Sequence, residues 1–348
     1  MTIDEQLLPF RGRCKFRQYI PSKPARYGIK TFALVDARSF YTYNLETYVG
    51  TQPHPSFTVS NTPHDLVLRL VEPIKKTGRN ITADNWFTSM PLIKELAKLD
   101  LSYVGTVKKN KREIPPEFQP LKNRQHTSSL FGFHQTEENL NVTMVSYIPE
   151  KKKKGKKKAV VLMSTLHDDD AVDPENHTHK PEMILFYNDD KCGVDVVDQM
   201  CASYSVQRKT RRWPMVVLSN LLNISAINAY VIFKKNRPGS KISRYQFLQN
   251  LSRALILPHL EQRTKLAQLP TASKTRCFEL IGQKPPTQTA SQLGLSNDSS
   301  SVEFGRCNVC LETKLAKEST NSRSQCAKCQ KPACRKHMFK MCLKCVQN

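Results

Sequence analysis

The tightest constraint on this chain lies in residues 307–348, where cysteine and histidine recur in four pairs of fixed spacing. They are Cys307-x2-Cys310, Cys326-x2-Cys329, Cys334-x2-His337 and Cys342-x2-Cys345. A C-x2-C turn holds two thiolates about one tetrahedral edge apart, which suits Zn²⁺. Eight ligands fill two closed tetrahedral sites with none left over, so two structural zinc ions are expected rather than a catalytic one with an open position. A segment this short needs such staples, because it cannot bury a sufficient core. The spacing does not fix the pairing. An interleaved arrangement groups Cys307, Cys310, Cys334 and His337 and leaves the other four together; a sequential one groups neighbours. Seven of the 11 cysteines follow residue 300, which argues against disulfides spread over a secreted chain. Cys14, Cys192, Cys201 and Cys277 read as ordinary buried thiols.

Charge points to a polyanionic partner. The 348 residues carry 54 lysines and arginines against 30 acids, a formal net charge of +24. Such a field attracts nucleic acid first and an anionic membrane surface second. MTIDEQLLPFRGR shows no apolar run after a basic start, so no signal peptide is read there. Trp213 to Phe233 lacks charge over nearly a membrane-spanning length. It also holds Asn220, Asn223 and Asn228, and Val217, Leu221, Ile224, Ile227 and Val231 recur at helical spacing. It therefore reads as a core helix, with no membrane partner.

Patterning suggests mixed α/β architecture. Residues 29–35 and 40–49 read as a β-hairpin, 62–77 as a helix, 80–86 as a strand, 89–99 as a helix and 101–107 as a strand. The first strand, around Asp4, is expected to be short and prone to fraying. Residues 110–181 read as an insertion, holding strands at 141–148 and 159–164 and the run Lys151–Lys158, a self-repelling hairpin tip. In 182–205, MILFYN reads as a closing strand and GVDVVDQMCASYSV as a helix. Residues 206–282 are helical, with fourteen lysines and arginines against Glu261 alone in 208–276. Residues 283–304 are a Pro/Gln/Ser-rich linker before the cysteine-rich domain, 305–348.

Aspartates stand where chemistry could use them. Asp4 lies in IDEQLLPF, Asp84 ends the strand NITAD, and Asp195 and Asp198 share one helical face in GVDVVDQM. Carboxylates from distant segments repel unless a divalent cation neutralises them. Mg²⁺ takes few protein carboxylates and leaves positions for water and phosphate oxygens, and a ribonuclease H-like core builds its site from such strand and helix aspartates. Singly, an aspartate at a strand end is most often a helix cap or a turn former, and a D-x2-D pair on a helix is most often a solvated face.

The blocks IDEQLLPFRGRCKFRQYIPSKPARYGIK, RNITADNWFTS, VGTVKKNKREIP and GVDVVDQMCASYSVQRKTRRWP, with the terminal cysteine pattern, resemble PiggyBac transposases in order and spacing over nearly the whole chain. The resemblance implies a ribonuclease H-like core in two parts, 1–109 and 182–205, split by the insertion domain 110–181. A helical dimerisation and DNA-binding region (second half only) follows at 206–282, then a two-zinc cross-brace module. It implies a catalytic set of Asp4, Asp84, Asp195 and Asp198 holding two Mg²⁺ or Mn²⁺ ions. It also implies double-stranded DNA as partner, with strand cleavage at transposon ends and joining to TTAA targets. Arg208, Lys209, Arg211 and Arg212 are the expected backbone contacts. A homodimer and a nuclear location follow, the Lys151–Lys158 run being a candidate localisation signal. In that family the Asp4 motif lies near mid-chain, so an upstream half is expected to be missing here. The competing expectation is a non-catalytic, transposase-derived DNA-binding protein that uses its zinc module and basic helices.

Overall fold

The computed structural model describes residues 1–51, 59–108, 110–111, 114–119, 124–150, 158–173 and 178–284, and, towards the end, 305–312, 321–322, 324–326, 328–329 and 331–337. Most of the Lys151–Lys158 run, residues 285–304 of the linker and the pair Cys342 and Cys345 lie outside the described residues. The chain divides into two compact units, Met1–Ala254 and Leu255–Asn348.

The first unit is mixed α/β, built on nine strands: β1 (Thr2–Pro9), β2 (Gln18–Tyr19), β3 (Tyr27–Val35), β4 (Thr42–Thr47), β5 (Asn80–Ala83), β6 (Ser102–Thr106), β7 (Ser129–Gln135), β8 (Asn141–Tyr147) and β9 (Val160–Ser164). They form one sheet in the order β2-β3-β1-β5-β6-β9-β8-β7, with β4 on β3. β1, β5 and β6 run parallel; the other pairs are antiparallel. Helices α1 (Pro63–Leu70) and α2 (Met90–Lys98) start where the sequence signals a start. Thr62 Oγ1 accepts from Asp65 N, Ser89 Oγ accepts from Leu92 N, and a proline follows in each first turn.

Strand alternation sets the two faces. Phe32 and Leu34 of β3 join Ile3 and Ile81 under Leu66, Leu70, Leu92 and Leu96 of α1 and α2. Ala33 and Val35 point the other way, to Val194 and Val197 of α4 (Gly193–Ser203) and to Ile224 and Ile227 of α5 (Trp213–Asn236). Both faces are covered, so β3 reads as a continuous apolar run.

Three expectations need correction, and one strand was not expected. MILFYN is not a strand but the body of helix α3 (Glu182–Asp190), which begins after Pro181 and packs Met183 and Ile184 against Val104 and Leu162. A short apolar run fits either structure, and the proline decided it. β7 was unforeseen; it pairs with β8 along its whole length. β1 is eight residues long and pairs with β3 throughout while also joining β5, so Asp4 sits in the sheet interior rather than on a fraying end. Finally, α5 buries Val216, Asn220, Asn223, Ile224 and Ile227 and leaves Leu221 exposed. It is the one described helix long and apolar enough to cross a membrane. Its asparagines explain its place here: Asn228 accepts from Thr42 N at 2.9 Å and donates to Thr42 O at 2.8 Å, and Asn223 accepts from Val206 N at 3.0 Å.

Helix α6 (Arg244–Lys265) runs across the division. The second unit continues with α7 (Thr271–Ile281), which ends at Gly282 in the left-handed region, φ 75°. The cysteine-rich end holds β10 (Gly305–Arg306), α8 (Asn308–Glu312) and β11 (Asn321–Ser322), with β10 and β11 paired.

Candidate active site and zinc cluster

The parallel pair β1–β5 sets Thr2 opposite Thr82 and Ile3 opposite Ala83, so the next residues, Asp4 and Asp84, emerge side by side. The helical corner α3–α4 is fastened across these strands: Thr2 Oγ1 donates to Asp190 O at 2.6 Å, and Thr82 Oγ1 to Asp190 Oδ2 at 3.4 Å. Gly193, the first residue of α4, makes the approach possible. A Cβ there would stand 3.0 Å from Thr2 Oγ1 and 3.2 Å from Ala37 Cα. The result is a cleft of about 120 Å³ lined by Asp4, Asp84, Asp195, Tyr187, Lys191 and Cys192, among others. Asp198, one turn further along α4, is not on the lining, but its charge interacts with Lys23 and Asp195.

The carboxylates are individually anchored. Asp4 Oδ1 accepts from Glu5 N and Asp84 Oδ1 from Trp86 N, both at 2.8 Å. Lys23 Nζ donates to Asp195 Oδ1 at 2.9 Å and to the Glu5 carbonyl at 3.0 Å. Burial pushes the Asp4 carboxyl up to about 7, helped by the charge of Glu5 and opposed by the Glu5 N–H and Lys23. Burial likewise raises Asp84 and Asp198, the first with Glu5 adding to it and the second with Asp195. Concentrated, partly desolvated negative charge of this kind is what a divalent cation relieves. The donors are hard oxygens, which fit Mg²⁺ or Mn²⁺ rather than a soft metal. Among the described residues only the cysteine cluster brings three or more ligand atoms within 4.8 Å of one another. The carboxylates share a cleft without closing that tightly, which leaves room for water and phosphate oxygens.

Next to the cleft runs a larger groove, about 1270 Å³, lined by Arg11, Arg13, Arg208, Lys209 and Arg211. Its walls meet closely at Gly12, where a Cβ would lie 2.8 Å from Arg211 O and 2.4 Å from the Phe10 ring. Pro24 and Ala25 line the groove while the adjoining Lys23 reaches the carboxylates, so the two features share one segment. Arg208, Lys209 and Arg211 thus stand together; Arg212 is the N-cap residue of α5 and does not line the groove. Trp213 is structural, meeting Phe16 edge-on at 5.0 Å. Sequence reasoning missed Glu5, Lys23, Arg11 and Arg13. Glu5 and the FRGR arginines were visible beside Asp4 and Phe10, but nothing local marked Lys23.

In the second unit, Cys307, Cys310, Cys334 and His337 converge. Cys310 Sγ lies 3.8 Å from Cys334 Sγ, and His337 Nδ1 lies 3.2, 3.5 and 3.7 Å from the sulfurs of Cys310, Cys334 and Cys307. Zinc–sulfur bonds of about 2.3 Å set tetrahedral sulfurs roughly 3.8 Å apart, so the donors fit Zn²⁺. Burial raises the Cys307 thiol, but backbone N–H groups of Cys334 and Cys310 override this and hold it at about 6, whereas burial and the neighbouring thiols push Cys310 up to about 11, so the cluster without metal combines thiolate and thiol. No disulfide joins any of the nine described cysteines; of the four expected to be buried thiols, Cys201 and Cys277 are buried, whereas Cys14 is half-buried and Cys192 exposed. Cys326 is buried and Cys329 exposed; both lie outside this quartet.

A family model described as Transposase IS4 matches residues 1–230, and the chain belongs to this family of transposases. Its relatives place it with the PiggyBac members. It is 22% identical to the human PiggyBac transposable element-derived protein 3 over 245 residues, covering 67% of this chain and 40% of that protein. It is 21% identical to the human PiggyBac transposable element-derived protein 2 over 243 residues, with the same two shares. A cryo-EM structure of a piggyBac transposase synaptic complex with hairpin DNA superposes with a TM-score of 0.70 at 34% identity, covering 99% of this chain and 68% of that one. The chain spans about two fifths of the length of these human relatives.

Proposed function

We propose that the first unit carries a ribonuclease H-like catalytic core for phosphoryl transfer on DNA. Asp4, Asp84 and Asp195 would hold two Mg²⁺ or Mn²⁺ ions, with Asp198 supporting them from the next helical turn. The single observation that carries this reading is the cleft in which aspartates from three separated segments meet, with two of them raised by burial. Two divalent ions, when bound there, activate the attacking oxygen and stabilise the leaving one.

The chain's own residues supply geometry. Asp4 and Asp84 are fixed by strand register and by backbone N–H donors, and Asp195 by α4 and Lys23. The groove cations hold the phosphate backbone and orient the scissile bond. No side chain need be attached covalently. The reading includes cleavage at a transposon end, attack of the freed 3′-hydroxyl on the opposite strand to give a hairpin, and joining to TTAA. A homodimer and a nuclear location belong to the same proposal, as does the domain scheme 1–109 with 182–205, 110–181, 206–282, 283–304 and 305–348. We also infer that the cysteine-rich end is a cross-brace with two zinc ions, since the converging quartet skips Cys326 and Cys329. Those two would pair with Cys342 and Cys345.

Mg²⁺-dependent nicking of a transposon-end duplex, absent in Asp84→Ala, tests the catalytic reading. The basic groove favours a second reading, DNA binding without chemistry, because its five cations do not depend on the aspartates. Steeply salt-dependent binding with no nicking would select it.

A further inference from the structure

Lys23 stands on a short connection that closes on itself between β2 and β3. Ile20 N donates to Arg26 O at 2.8 Å, Lys23 N to Ile20 O at 3.2 Å, and Arg26 N to Lys23 O at 3.0 Å. Both ends of the connection belong to the sheet, because Gln18 pairs with Gly28 and Tyr19 with Tyr27. From this stiff base the side chain reaches β1 and α4 together, donating to the Glu5 carbonyl at 3.0 Å and to Asp195 Oδ1 at 2.9 Å. The side chain of Lys23 is 16% exposed and that of Asp195 is 58% exposed.

That asymmetry distinguishes holder from held. The backbone of α4 fixes where Asp195 starts, but a carboxylate this open to solvent is free to turn away from the cleft. A half-exposed ion pair adds little to stability by itself. A lysine kept nearly buried, with one bond spent on a backbone carbonyl, is an orienting contact of the kind that aims metal ligands.

We propose that Lys23 is a positioning residue: it joins the Glu5 carbonyl to the Asp195 carboxylate and so aims Asp195 at Asp4 and Asp84. This rests on the carboxylate-site reading above, and it makes the turn YIPSKPARY part of the site although none of its side chains is an acid. Because Pro24 and Ala25 line the basic groove, the same turn links the DNA-binding surface to the carboxylates.

The test is a Mn²⁺ titration of the full, zinc-loaded chain, following the free-ion signal by electron paramagnetic resonance. Wild type, Lys23→Met, Lys23→Arg and Asp84→Ala are compared, with thermal melts to check folding. Lys23→Met is expected to bind Mn²⁺ roughly tenfold more weakly, whereas Lys23→Arg, which keeps charge and donors, stays within about threefold of wild type. A lysine acting only as a counter-charge would repel the ion, so its removal would leave binding unchanged or tighten it; either result overturns the proposal. Should Lys23→Met fail to fold, a folded Lys23→Arg that binds more than about tenfold more weakly overturns it as well. Loss of Mn²⁺ binding in Asp84→Ala together with normal binding in Lys23→Met removes the Lys23 role alone. Absence of binding in wild type, or normal binding in Asp84→Ala, removes the carboxylate site and the Lys23 role together.

Discussion

Asp4 and Asp84 emerge side by side because Ile3 stands opposite Ala83 in a parallel strand pair. Eighty positions apart in the chain, they are neighbours through register alone. Asp84 also caps its own turn through Trp86 N. Asparagine keeps that acceptor and loses the charge. Asp84→Asn should therefore melt within a few degrees of wild type while losing at least about 100-fold in Mg²⁺-dependent nicking. A variant that nicks normally would remove Asp84 from the chemistry.

The pH dependence of the metal-free protein follows from Asp4. Its carboxyl is pushed up to about 7, chiefly by burial, whereas an unfolded aspartate titrates near 4. Between those values the folded state keeps a proton that the unfolded chain has released, so stability falls as pH rises from about 4 to about 7. Melting of zinc-loaded protein without Mg²⁺ should be higher at about pH 5.5 than at about pH 7.5. Asp4→Asn should flatten this trend, and a trend of the opposite sign would contradict the assignment.

Gly12 seats the arginine-bearing loop against the segment before α5. An added methyl would lie 2.4 Å from the Phe10 ring and 2.8 Å from the Arg211 carbonyl. Gly12→Ala should cost about 1–3 kcal/mol through overpacking, measured by denaturant unfolding, and should weaken DNA binding with it. An unchanged midpoint would mean that the two walls of the groove move apart freely.

Arg11, Arg13, Arg208 and Arg211 line one groove. If each meets a phosphate, replacing any one by alanine lowers the slope of log K against log salt by roughly 0.9, with no change in sequence preference. Fluorescence anisotropy on two unrelated duplexes, over a salt series, reads both quantities. A loss confined to one sequence would instead indicate base recognition.

The sulfurs of Cys310 and Cys334 lie 3.8 Å apart, the length of one edge of a tetrahedral zinc–thiolate site. Cys334→Ser should lower bound zinc from about two ions per chain to about one, by elemental analysis, since a closed tetrahedral site tolerates no missing thiolate. Retention of both ions would refute the quartet.

Much of the architecture was written locally. Thr62 and Ser89 announced their helices through hydroxyl caps and following prolines, and the apolar run of β3 showed a strand covered on both sides. Where a signal was ambiguous over a few residues, one neighbour tipped it: MILFYN is the body of helix α3, begun at Pro181, with Met183 and Ile184 buried beside Val104 and Leu162. The buried face of α5 keeps the expected Ile224 and Ile227 but takes Val216 and Asn220 in place of Val217 and Leu221, because Asn220 and Asn223 find partners inside, which hydrophobicity alone does not foresee.

The sequence by itself determined the four cysteine and histidine pairs, the excess of positive charge and the four aspartates, because each depends on residue type and short spacing. Only the tertiary structure decided which of these meet. Pairing across 24 to 30 positions chose Cys307, Cys310, Cys334 and His337 as one cluster. Parallel register brought Asp4 to Asp84, and a loop lysine with no local signature came to rest on Asp195. Proximity between distant segments is fixed by sheet register and side-chain packing, and no window of neighbouring residues encodes it.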